Sequence, residues 1–181
     1  LTLLVNNGTD LHSYQPSATD LINISTCDVF LYVGGASDDW VKDALKNATN
    51  PDLQVINLMD VLGSGVVEEE IVTGMQHSHD EDKEQEHQED GYAEGEHNHE
   101  EALYDEHVWL SLNNAVLFVN YITKVLEEAD TAHAESYRSN AAAYTDKLKA
   151  LEADYRNTID QAKTDTLLFC DRFPFRYLVR G

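Results

Sequence analysis

Five of the eight histidines in this 181-residue sequence, His77, His79, His87, His97 and His99, fall within QHSHDEDKEQEHQEDGYAEGEHNHEE, residues 76–101. Neutral imidazole binds zinc, copper and nickel well, and the neighbouring carboxylates add a negative potential that draws cations in. The His-x-His pairs at both ends favour contact with a transition metal over a merely solvated acidic insertion. Almost no side chain in the stretch is apolar, so it buries too little surface to offset the entropy of ordering. It is predicted to be a mobile loop over about residues 76–104.

His12, His107 and His133 are the remaining histidines. His12 follows the apolar opening run and a polar turn, where side chains project at the carboxyl end of a parallel sheet and α/β folds place ligands. His107 sits in YDEHVWLS, with Trp109 and Leu110 available to pack around it. Taken alone, it reads better as a histidine satisfied by main chain than as a ligand. His133, near the start of a long helix, is expected to be exposed and without a role. No GxSxG, HExxH or P-loop pattern is present, and most acids lie in a loop too mobile to hold catalytic geometry, so no catalytic residue is assigned.

The formal charge is −22, and residues 77–106 carry about twelve of those units. Such a chain is repelled by nucleic acid and by anionic membrane surfaces, which leaves cations as its natural partners. Apolar content of 42% is enough for a core outside the loop. Cys27 and Cys170 stand in no CxxC spacing and read as buried free thiols. No signal peptide, lipid-attachment cysteine or membrane-length apolar run is visible. The ends fall inside apolar segments (LTLLV and RYLVRG), so the chain is expected to be a fragment.

These residues have to be positioned by regular elements. Residues 1–5 read as a strand, and residues 17–25 as a helix. VFLYV (residues 29–33), running into Gly34-Gly35, has the pattern of a strand buried on both faces of a parallel sheet. A helix begins at Asp38 and is stopped by Pro51, and QVINL (residues 54–58) is a further strand. Alternating strands and short helices argue for an α/β layer. Beyond the insertion, Leu112, Ala115, Val119, Ile122 and Leu126 mark one face of an amphipathic helix. Asp130 is placed to cap a longer helix over residues 131–162, on the order of 48 Å, whose stripe runs Ala134, Tyr137, Ala141, Tyr144, Leu148, Leu151, Tyr155 and Ile159. TLLFC (residues 166–170) reads as the first strand of a second sheet.

Three segments carry a family resemblance. NNGTDLHSYQPSATDL resembles the PG-x-D-PH-x-YEP-type loop that presents the first metal histidine in metal-binding solute-binding proteins of ABC transporters. YDEHVWLSLNNA is similar to that family's D-P-H-x-W-L-D-P motif, which carries the second, and CDVFLYVGGASDDWVKDAL to its AD-L-x-x-x-NG-x-x-x-E-x-W segment. A His- and acid-rich loop between the two histidine motifs marks the zinc-uptake branch. Leu11 and Glu106 each replace a proline of the pattern and leave the histidine in place.

The resemblance implies an α/β fold of two lobes with parallel sheets, bridged by a long helix. Residues 1–110 would form the first lobe, 111–163 the helix and the long inter-lobe helix, and 164–181 the start of a second lobe that is mostly missing. It implies capture of Zn²⁺ outside the cytoplasmic membrane, in the periplasm or on the outer face with a lipid anchor, and delivery to an ABC permease by a monomeric, non-enzymatic protein. His12 and His107 would bind the ion. In the register set by F-x-Y at Phe175–Tyr177, the third ligand position falls on Arg172, which has no lone pair, so Asp171 would substitute if the loop turns differently. A fourth, carboxylate ligand would lie beyond Gly181. The alternatives are a manganese-binding relative, a zinc-buffering adhesin and a metal-dependent hydrolase. Deleting residues 76–101 is expected to leave the fold and the tight site intact while lowering zinc stoichiometry in calorimetry, with the weak sites lost.

Overall fold

The computed structural model describes residues 1–5, 11–69, 103–169 and 173–180. The His-rich segment, Cys170, Asp171 and Arg172 lie outside the described residues. The elements in chain order are α1 (Ala18–Thr26), β1 (Val29–Tyr32), α2 (Trp40–Leu45), β2 (Gln54–Asn57), α3 (Leu58–Leu62), α4 (Leu112–Ala129), α5 (Ala134–Asp160) and α6 (Arg176–Arg180), with short 3-10 turns between several of them. β1 and β2 pair in parallel, Val29 with Gln54 through Tyr32 with Asn57. Helix α2 lies in the connection between the two strands, and Ser17 starts α1, ahead of β1, with a capping box in which Ser17 and Asp20 satisfy each other's main-chain N–H groups.

β2 ends one residue earlier than the apolar run suggested. The Asn57 side chain accepts the N–H groups of Met59 and Asp60, which turns Leu58 into the first residue of α3. Two other expected strands are not formed. Residues 1–5 carry no sheet pairing, and Leu1 and Leu3 are exposed, although Leu4 packs on the core beside Ile24 and Phe30. Residues 166–169 are irregular with Leu167 and Leu168 exposed. A strand needs a neighbour to take up its alternating main-chain groups, and among the described residues the sheet consists of β1 and β2 alone. For the same reason β1 is not buried on both faces: Phe30 is buried, whereas Leu31 is exposed.

The core is split in two. One part joins Ile24, Phe30, Val41 and Ala44 under α1 and α2. The other gathers Ile56, Leu58, Met59, Val108, Phe118 and Tyr177 around the end of β2. Helix α4 serves this second part through Phe118, Ile122 and Val125, so the predicted stripe meets it at Ile122 and is widened by Phe118 and Val125, while the helix also packs along α5. Asp130 does not cap the long helix through main-chain N–H groups. It takes the His133 ring and the Tyr137 hydroxyl instead, over a 3-10 turn at Thr131–His133. With 27 residues α5 is about 40 Å long, and its stripe is buried at Leu148 but exposed at Tyr144, Leu151, Tyr155 and Ile159. Ile56 is 2% exposed at the centre of the larger core. Replacing it with Ala should cost about 2–5 kcal/mol, read as a lowered denaturation midpoint with unchanged slope in urea.

Candidate metal centre

The carboxyl end of the sheet gathers three separate pieces of chain. His12 lies on a 3-10 turn, Leu11–Ser13, that has no buried residue of its own. The turn is tethered from behind by Tyr14, whose hydroxyl donates to Asp20 at 3.0 Å and whose ring meets Trp40 edge-on. Burial, followed by the Asp20 hydrogen bond and charge, pushes the Tyr14 hydroxyl up to about 12, so it stays a donor. The second piece is the loop after β1. Asp38 accepts the N–H groups of Val33 and Gly34, and Gly35 has φ of 84°. This brings the Ser37 hydroxyl to 3.0 Å from His12 Nδ1.

The third piece is Asp105–Glu106–His107. Asp105, 6% exposed, accepts both the His107 main-chain N–H (2.9 Å) and His107 Nδ1 (2.8 Å) on one oxygen. Burial alone would raise this carboxyl. The hydrogen bonds from the His107 ring and main chain, helped by the charge of Arg176, outweigh it and hold the group below the ordinary aspartate value. Because a carboxylate accepts only, the His107 proton sits on Nδ1 and the lone pair on Nε2. Val108 follows into the core with no exposed surface, which anchors the turn.

The segment is held from the other side by α6. Main chain at 67–69 pairs with main chain at 103–105: Glu69 N–H donates to Leu103 and Asp105 N–H to Val67. The rung expected next, Val67 N–H to the Asp105 carbonyl, is replaced by a relay. Val67 N–H donates to the Tyr177 hydroxyl at 3.1 Å, and that hydroxyl donates to the Asp105 carbonyl at 2.8 Å. Tyr177 is 5% exposed, and burial raises its pKa. Arg176 adds a hydrogen bond to the Glu68 carbonyl.

The outcome is that His12 and His107, 95 positions apart in the sequence, face each other with ring centroids 5.5 Å apart in an edge-on arrangement. His107 is 24% exposed and His12 39%, so the pair opens to solvent on the His12 side. His133 stands elsewhere, exposed beside Asp130. Among the described residues no third His, Cys, Asp or Glu joins the pair in a cluster able to hold an ion. Asp171 and the loop histidines His77, His79, His87, His97 and His99 fall outside the described residues. Sequence reading missed Ser37, Asp105 and Tyr177 as supports. The Asp-x-His spacing was a usable signal for Asp105, whereas nothing marked Ser37.

The whole chain, residues 1–181, matches the family described as ZnuA, zinc-uptake complex component A, periplasmic. The chain belongs to the ZnuA family. Among relatives, the zinc-binding protein AdcA of Streptococcus pyogenes serotype M3 is 32% identical over 164 residues, covering 90% of this chain and 30% of the relative. The zinc-binding lipoprotein AdcA of Streptococcus pneumoniae serotype 4 is 32% identical over 179 residues, covering 97% and 31%. The crystal structure of Zn(II)-bound AdcA from Streptococcus pneumoniae superposes with a TM-score of 0.68 at 24% identity, over 98% of this chain and 32% of that one, and shows a shared fold. The chain thus spans about a third of the length of these relatives. The ZnuA-family fold accounts for the parallel sheet followed by a long helix.

Tyr177→Phe removes the relay and leaves the half-buried Val67 N–H and the buried Asp105 carbonyl without their bridge. It should cost about 1–3 kcal/mol by urea unfolding, with no change in far-ultraviolet circular dichroism before the transition.

Proposed function

We propose that this chain captures Zn²⁺ outside the cytoplasmic membrane and hands it to an ABC permease for uptake, as a binding protein rather than an enzyme. The observation that carries the reading is the spacing of the two imidazoles. A metal held at 2.0–2.1 Å by one ring nitrogen lies about 3.1 Å from the ring centroid, so two rings on a tetrahedral ion have centroids about 5 Å apart. The 5.5 Å separation of His12 and His107 is within a small adjustment of that. The partners on Nδ1, Ser37 for His12 and Asp105 for His107, orient each ring to use Nε2, the usual arrangement of a metal-bound histidine and its outer support.

Two imidazoles favour zinc over manganese, which prefers carboxylate and carbonyl oxygen. The zinc-binding names of the AdcA relatives support the same cargo. Asp171 is our choice for the third ligand, with solvent or a later carboxylate completing the shell. The loop histidines would collect zinc more weakly, because an unstructured ligand set loses entropy when it closes on an ion. A monomer working in the periplasm, or lipid-anchored on the outer face of the membrane, completes the reading.

Calorimetric titration with zinc tests the site. His12→Ala and His107→Ala should each abolish the tightest binding event. Asp171→Ala should weaken it, and Arg172→Ala should leave it as it was. Tight binding retained in both histidine variants would remove the site assignment. A silent Asp171→Ala would place the third ligand elsewhere.

A further inference from the structure

Glu106 stands between the buried Asp105 and the candidate ligand His107, at a position where the motif this segment resembles has proline. Its side chain is half-buried, and it reaches across to both other pieces of the site. Oε1 accepts the Ser37 main-chain N–H at 2.8 Å. Oε2 lies 3.9 Å from His12 Nδ1, the nitrogen that also meets the Ser37 hydroxyl at 3.0 Å. One carboxylate therefore holds the loop after β1 and lies beside the His12 ring while its own backbone leads into His107.

The loop is shaped to receive it. At Gly35 a Cβ would fall 2.5 Å from Glu106 Cγ, and φ there is 84°, so only glycine lets the loop close on the Glu106 stem. Asp38 fixes the preceding turn by taking two N–H groups, leaving the Ser37 N–H directed at the glutamate. A proline at 106 would reach neither Ser37 nor His12.

We propose that Glu106 is a positioning residue that assembles the two-histidine site before metal arrives, by joining the His107 segment to the Ser37 loop and through it to His12. His12 needs this more than His107 does, because its own turn contributes nothing to the core. With the rings already facing each other, an arriving ion meets two ligands at once and less chain has to be ordered on binding. The proposal rests on the reading of His12 and His107 as ligands, and its test separates the two.

The test uses the whole chain and two readouts. The first is zinc affinity by competition with a chromophoric chelator. The second is the imidazole nitrogen resonances of His12 in the metal-free protein, which do not depend on any metal. Glu106→Ala should weaken zinc binding about 10–100-fold, as loss of an outer support does, and should shift or broaden the His12 resonances. Glu106→Gln keeps an oxygen for the Ser37 N–H and should recover most of both. If Glu106→Ala fails to fold, Ser37→Ala, which removes only the hydroxyl on His12, should move both readouts in the same direction. Glu106→Ala with parental affinity and unmoved His12 signals overturns the proposal, and so does a Glu106→Gln no better than the alanine. His12→Ala separates the two failures: if it too binds zinc tightly, the ligand assignment has failed, and if it does not, only the role of Glu106 has.

Discussion

Removing a carboxylate from water costs several kcal/mol unless hydrogen bonds and charge replace the lost hydration, and Asp105 is a carboxylate so placed. It is buried, and its compensation comes from its own neighbourhood: the N–H and ring of His107, with the positive charge of Arg176 nearby. Meeting that demand determines much else. The turn from 105 to 108 has to curl back on the carboxylate, which sends Val108 into the core and fixes the plane and tautomer of the His107 ring. The orientation of a candidate ligand thus follows from the solution to a burial problem, and the surrounding elements serve to keep that carboxylate dry.

The two histidines are supported unequally. His107 leans on a buried acid, a fully buried valine and an aromatic neighbour, Trp109. His12 rides on a surface turn held by Tyr14 and by the loop that follows β1. One half of the site is rigid and the other depends on tethers. The tethered half is where opening costs least, since few buried contacts are lost there.

Much of this was legible in the sequence, and the parts that were not have a common cause. The strand–helix alternation through Asn57 and the two histidine-bearing motifs follow from local pattern, and the structure brings His12 and His107 together. The strands expected at residues 1–5 and 166–170 rested on apolar content alone, which cannot say whether a hydrogen-bonding neighbour exists. The stripe on α4 included Ile122 but not Phe118 and Val125, because periodicity finds a single face and this helix has two partners. Glu106 was read only as a tolerable replacement for proline. Its reach to Ser37 spans 69 positions, and no local pattern encodes such a contact.

The hydroxyl of Tyr177 stands in for a missing rung between Val67 and Asp105, 110 and 72 positions upstream. During synthesis from the amino terminus, both histidines, the sheet and the two long helices leave the ribosome before that tyrosine does. Until it emerges, Val67 N–H and the Asp105 carbonyl face each other without their bridge, and the paired main chain beside His107 lacks its closing piece. This support of the site therefore forms only after residue 177 is made, although both histidines come earlier, so a nascent protein carries them before it has a finished place for them.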